Sequence, residues 1–159
     1  MIIALSAMEL FTASMIGVGR QIKSLQSGRA DNHGMKSDMG FHYHIIGACG
    51  EAVVAKFMGY FWLGSVDSFK APDVGAYQVR TSSRDYLIIR KGDRDEEIFV
   101  GVRKINDLQY ELLGWIIGAC AKQNEFLQSP ADRPPAWFVP KQRLNSIDKL
   151  GGKANGNTK

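Results

Sequence analysis

The chain has 159 residues, of which 45% are hydrophobic and 23% charged, with a formal net charge of +4 at pH 7. That length and balance predict one soluble globular domain with a core of its own, and no internal repeat argues otherwise. The basic excess is compatible with a polyanionic partner without demanding one. Cys49 and Cys120 lie far apart, with no CxxC or Cys/His spacing for zinc, and read as small buried hydrophobes in a reducing compartment.

The N-terminal run MIIALSAMELFTASMIGVG contains Glu9 and has no basic leader. Its apolar residues recur at helical spacing, so it reads as neither an export signal nor a membrane span. The protein is expected in the cytoplasm, with no membrane partner. Residues 7–26 should form an amphipathic helix, because Met8, Phe11, Met15, Val18, Ile22 and Leu25 follow a 3-4-3-4-3 spacing. This stripe is expected to face the core; the alternative is a seam between two copies, a homodimer. Gly17 and Gly19 weaken the helix and permit close packing. The GVGR run lacks the glycine spacing and the Lys-Ser/Thr pair of a phosphate loop. Residues 27–40 read as a polar loop, with His33 a solvent histidine.

A second helix is expected over residues 41–59. Its apolar positions include Ile45, Cys49, Val53 and Phe57, while Gly47, Ala48 and Gly50 clear space around Glu51. A glutamate among such neighbours is costly unless paired or metal-bound; the plainer reading is an exposed helix carboxylate. His42 and His44 diverge on a helix and suit phosphate neighbours better than metal ligands. Residues 60–75 form a connection that ends in Ala71-Pro72-Asp73. Proline biases Ala71 toward extended geometry, and Gly75 permits a turn into the next run.

Four strand-like runs follow, at residues 76–81, 86–91, 97–103 and 108–117. Their short polar links predict a β-meander that buries Leu87, Ile89, Phe99, Leu112 and Trp115. Gln78 and Arg80 share one face of the first run, since strand side chains alternate. The acidic stretch 93–97 lacks calcium-loop spacing and reads as a solvated hairpin tip. A third helix over 118–128, an edge strand over 136–139 and a short helix within 141–150 complete one domain, 1–150. The polar tail 151–159 is expected to be disordered.

A carboxylate within GACGEAVVAKFMGYFW, then Pro72-Asp73, then Gln78-Val79-Arg80 on a strand, then Gly114-Trp115, is an ordered set. It resembles the PD-(D/E)XK nuclease superfamily, and within it small phage-encoded members, over residues 40–140. The resemblance implies an α/β (α+β) domain of restriction-endonuclease-like fold, a central mixed β-sheet flanked by helices. It implies Mg2+- or Mn2+-dependent hydrolysis of DNA in the host bacterial cytoplasm. The implied catalytic residues are Glu51, Asp73, Gln78 and Arg80. The implied metal ligands are Glu51, Asp73 and the backbone carbonyl of Val79, with the Gln78 side-chain oxygen beside them. Nucleic-acid contacts would come from Arg80, Ser82, Arg84 and Lys122, with Arg90, Lys91, Lys141 and Arg143 further out.

One departure bears on activity. The family's acid-x-lysine stands here as Gln78-Val79-Arg80. Glutamine removes a negative charge from the metal site, and arginine cannot serve as a base, although it can hold a phosphate through two hydrogen bonds. The alternatives are therefore a non-catalytic relative that binds nucleic acid or a host protein, and a small protein that blocks a host defence. The competing structural role for Arg80 is an ion pair with Glu51 or Asp73.

Overall fold

A computed structural model describes residues 1–28, 39–66, 71–130 and 133–150. The elements in order are β1 (Ile2–Ala4), α1 (Ala7–Gln26), α2 (Gly40–Met58), β2 (Tyr77–Ser82), β3 (Tyr86–Arg90), β4 (Ile98–Lys104), β5 (Gln109–Ile117), α3 (Gly118–Ala121), β6 (Leu127–Gln128) and β7 (Ala136–Pro140). The architecture is mixed α and β. A four-stranded sheet runs β1-β5-β4-β2, with β2 and β4 parallel and the other pairs antiparallel, and a smaller antiparallel sheet runs β3-β7-β6.

Two apolar clusters hold these layers together. In the first, Ala48, Cys49, Val53 and Val54 of α2 pack with Val79, Val100, Val102 and Leu112 of the larger sheet. The second joins Phe99 and Ile116 of that sheet to Leu87, Ile89 and Val139 of the smaller one. Strand alternation produces this division, since neighbours Phe99 and Val100 on β4 enter different clusters. Leu87, Ile89, Phe99 and Leu112 are buried as the alternation predicts, whereas Trp115 is half-buried, its Nε1 donating to the Ser146 carbonyl at 3.1 Å.

Helix α1 spans the expected residues. Its start is fixed by a capping box, in which the Glu9 amide donates to the Ser6 hydroxyl at 3.2 Å and the Ser6 amide donates to the Glu9 carboxylate at 2.6 Å. The face it buries is not the expected one. Ala13, Gly17 and Gln21 are buried, while Met8, Phe11, Met15, Ile22 and Leu25 stand exposed. Close approach decides the orientation. A Cβ on Gly17 would lie 2.5 Å from the Ile45 Cα, so the small-residue side lets α1 and α2 nearly touch. Gly50 plays the same part on the other side of α2, where a Cβ would collide with the Thr81 hydroxyl of β2.

The β-meander is corrected as well. Of the four runs, β4 and β5 form a hairpin; β2 lies parallel to β4, and β3, between them in sequence, joins the second sheet. Alternation identifies a strand but not its neighbour. β4 and β5 carry buried residues at consecutive positions, which places them inside the larger sheet, with β2 at its edge. β7 is the middle strand of its sheet and not an edge. The expected third helix is the four-residue α3 followed by a 3-10 turn at Asn124–Phe126, and residues 141–150 hold two further 3-10 turns. Of the cysteines, Cys49 is buried and Cys120 exposed. No helix among the described residues is long and apolar enough to cross a membrane. His33 and most of its loop, part of the 60–75 connection and the tail 151–159 lie outside the described residues.

Candidate active site

Asp73 stands four residues ahead of β2 and is tied to that strand. Its Oδ2 accepts the Val79 amide at 2.7 Å, and its own amide donates to the Tyr77 carbonyl at 2.9 Å. Among the described residues no strand pairs with β2 on this side, so the carboxylate occupies a backbone donor that an edge strand would otherwise leave open. Asp73, Gln78 and Arg80 then line one cleft of about 270 Å3, together with Arg20, His44 and Ser65. The sequence order helix-acid, Pro-Asp, strand thus brings three of the four expected catalytic side chains to a single opening.

Glu51, the fourth, is 6% exposed and does not line that cleft. Its partner is Arg20 of α1, whose Nη1 and Nη2 donate to Oε1 and Oε2 at 2.5 and 2.8 Å. Trp62 Nε1 donates to Oε2 at 3.4 Å, and Arg20 Nε donates to the Ser65 carbonyl at 2.7 Å. The exposed-carboxylate reading of Glu51 is thereby corrected: it is buried and paired. The fork-to-fork geometry is the strongest form of this pair. Burial opposes the Arg20 charge, but the hydrogen bonds and charge of Glu51 outweigh it and hold the guanidinium above its ordinary range.

Asp73 has no such cation in contact among the described residues. Burial, and after it the negative charge of Glu51, push its carboxyl up to about 6, against the weaker pull of the Val79 amide and of Arg80 and Arg20. Arg80 pairs with neither expected carboxylate. Its Nη2 donates to Asp93 Oδ1 at 2.9 Å and its guanidinium lies 5.1 Å from the Phe99 ring centre. Its Nε is buried without an acceptor among the described residues. Gln78 Nε2 donates to Glu97 Oε1 at 3.1 Å.

The acidic stretch 93–97 therefore belongs partly to the site. Asp93 Oδ2 also accepts the Arg90 amide at 2.8 Å, and the side chains of Asp93 and Glu97 are each 14% exposed, which corrects the reading of a solvated tip. Burial, and then the Arg80 charge, push the Arg90 guanidinium down from its ordinary range. The expected outer contacts are dispersed. The Ser82 hydroxyl accepts the Arg84 amide at 3.1 Å in a turn. Lys122 is bound to Asp95 at 2.6 Å and to the Asp93 carbonyl. Lys141 and Arg143 pair with Glu111 and Glu125. None of these five lines the cleft.

Sequence reasoning missed Arg20, Asp93 and Glu97. The signal for Arg20 was its helical phase: seven residues after Ala13 and three after Gly17, it lies on the side of α1 that the small residues mark as buried.

The donors that could serve a hard divalent cation are the second oxygen of Asp73, the Gln78 side-chain oxygen and the Val79 carbonyl, the last of which already accepts Arg80 Nη1 at 3.3 Å. Glu51 could join them only after Arg20 releases it, and the described residues hold no group of three His, Cys, Asp or Glu side chains suited to a metal. A scan against protein-family models, a search of curated proteins and a search of solved structures each returned no match.

Proposed function

We propose that the cleft hydrolyses a phosphodiester of DNA, in the manner of a PD-(D/E)XK-type nuclease. The observation that carries this reading is the convergence of Asp73, Gln78 and Arg80 on one opening, with Asp73 held at about 6. A carboxylate titrating there is ionised at neutral pH yet basic enough to take a proton from an attacking water, which is the tuning general bases need. Arg80 supplies the complementary function. It stays protonated, so it does no proton transfer, but its guanidinium can hold a phosphate and meet the charge that develops on it. His44 and Ser65 add polar lining to the same opening. Were a magnesium or manganese ion held by Asp73, Gln78 and the Val79 carbonyl, Asp73 would serve as ligand in place of base, and the ion would add positive charge at the phosphate and lower the pKa of a bound water.

A second reading is favoured by one observation, the engagement of both Glu51 oxygens by Arg20. With that carboxylate withdrawn, the cleft is a phosphate-binding groove lined by two guanidiniums, and the protein binds nucleic acid without cutting it. Incubating the purified chain with duplex and single-stranded DNA, in Mg2+, in Mn2+ and in EDTA, separates the two. The nuclease reading expects cleavage that EDTA stops and that Asp73→Asn lowers by about 100-fold or more. DNA retained without cleavage under every condition selects the binding reading. Cleavage unchanged in both Asp73→Asn and Glu51→Ala would defeat the assignment of the site.

A further inference from the structure

The exposed stripe of α1 is an apolar feature the proposed activity does not use. Met8, Phe11, Met15, Ile22 and Leu25 are 71, 62, 55, 45 and 61% exposed, with Val18 half-buried among them. Their 3-4-3-4-3 spacing is the repeat by which one helix seats its side chains between those of another at a shallow crossing angle. At 1.5 Å per residue the stripe runs about 25 Å. We propose that it is the seam of a two-fold dimer, and that its occupant is the same helix of a second copy of this chain.

Three observations select a second copy. First, the stripe lies roughly 150° around the helix from the buried side at Ala13 and Gly17, given about 100° per residue. Two copies can therefore meet along it while their bodies stay on opposite sides. Second, the positions that flank the seam are Thr12, Ser14 and Gly19, none of them charged. A helix that selects a different partner commonly does so through flanking charges, and self-pairing here brings no like charges together. Glu9 and Arg20 are turned back to Lys56 and Glu51 of α2, away from the seam. Third, the sequence outside the described residues is poor in large apolar side chains. The segments 29–38, 67–70, 131–132 and 151–159 contain only two large apolar side chains, Met35 and Phe69.

The area is adequate. The five exposed side chains offer on the order of 500 Å2 on each copy, so pairing two stripes buries about 1,000 Å2, the lower bound of a specific interface. A lipid surface is the other occupant to separate, but a membrane-lying helix carries cations along its polar face. Of the two cations on α1, Arg20 is committed to Glu51.

Sedimentation equilibrium of the full chain tests the proposal across roughly 1 to 100 µM, bracketing the affinity of a modest interface. The expected result is reversible association to twice the 17.6 kDa chain mass. Phe11→Glu with Met15→Glu should weaken it at least tenfold while the far-ultraviolet dichroism stays unchanged, since both positions are open in one copy. The single change Leu25→Glu serves if that pair misfolds. A wild-type monomer throughout the range overturns the proposal, as does a dimer indifferent to these changes. A monomer whose stripe instead binds anionic vesicles also overturns it, in favour of a lipid surface.

Discussion

Helices α1 and α2 are nearly equal in length, 20 and 19 residues, and pack side by side, yet they use their apolar residues in opposite ways. α2 buries Ala48, Cys49, Val53 and Val54 against the sheet and carries one carboxylate, Glu51, into that apolar setting. α1 buries Ala13, Gly17 and Gln21, and leaves Met8, Phe11, Met15, Ile22 and Leu25 outside. The difference shows that proximity, and not hydrophobicity alone, settles which side of a helix turns inward. Two axes can approach only where neither carries bulk, so the glycine and alanine side of α1 meets α2 and the larger residues are left for something else. The two helices are also joined electrically, because each provides half of the Arg20–Glu51 pair.

Breaking that junction should have the largest effect. Arg20→Ala leaves a carboxylate that is 6% exposed with no cation to oppose it. Removing one member of a buried pair typically costs about 3–5 kcal/mol, so urea unfolding should shift well below the wild-type midpoint. Replacing both members, Arg20→Met with Glu51→Leu, should recover most of the loss, because the pair gains little over apolar residues that fill the same space. If Arg20→Ala unfolds at the wild-type midpoint, the two helices are not coupled through this pair.

The next effect sharpens the contrast between the two acids near that junction, Glu51 with its cation and Asp73 without one. Asp73 titrates near 3.8 in an unpaired reference and at about 6 in the fold. Between those values the folded protein holds a proton that the unfolded chain has released. Stability should therefore fall as pH rises from about 4 to about 6 and level off above, by on the order of 2–3 kcal/mol. Asp73→Asn should remove this slope and keep the acceptor for the Val79 amide. The measurement is the wild-type minus Asp73→Asn difference in unfolding free energy from pH 4 to 8, which cancels the other carboxylates. A difference that does not change with pH would mean Asp73 is not held up by its surroundings.

Much of this was legible in the sequence, and the failures share a cause. Alternation around Leu87, Ile89, Phe99 and Leu112 located strands and buried positions, and the 3-4-3-4-3 spacing located α1. The order of Glu51, Asp73, Gln78 and Arg80 suggested that these side chains lie near one another, and three of the four line one cleft while Glu51 does not. Pairing was not legible. Nothing local to Arg80 says that Asp93 is its partner, or that β2 lies parallel to β4 while β3 leaves for another sheet. The two stripes of α1 were both present, at 8-11-15-18-22-25 and at 10-13-17-20. Choosing between them required knowing that α2 lies close enough for a methyl group to matter.

That last point yields the smallest and most direct test, the same substitution on each helix. Gly17 and Gly47 are both interior helical glycines, and alanine is intrinsically better in a helix by about 1 kcal/mol. At Gly47 an added Cβ meets no described atom within 4 Å, so Gly47→Ala should stabilise by up to that amount. At Gly17 the Cβ would lie 2.5 Å from the Ile45 Cα and 2.6 Å from its nitrogen, backbone atoms that cannot rotate aside. The helices must separate, and overpacking of that kind typically costs about 1–3 kcal/mol, enough to outweigh the propensity gain. Opposite signs in urea unfolding are the expected outcome. If Gly17→Ala also stabilises, α1 does not rest on α2 through its small-residue side, and the account of why the larger residues face outward would fall with it.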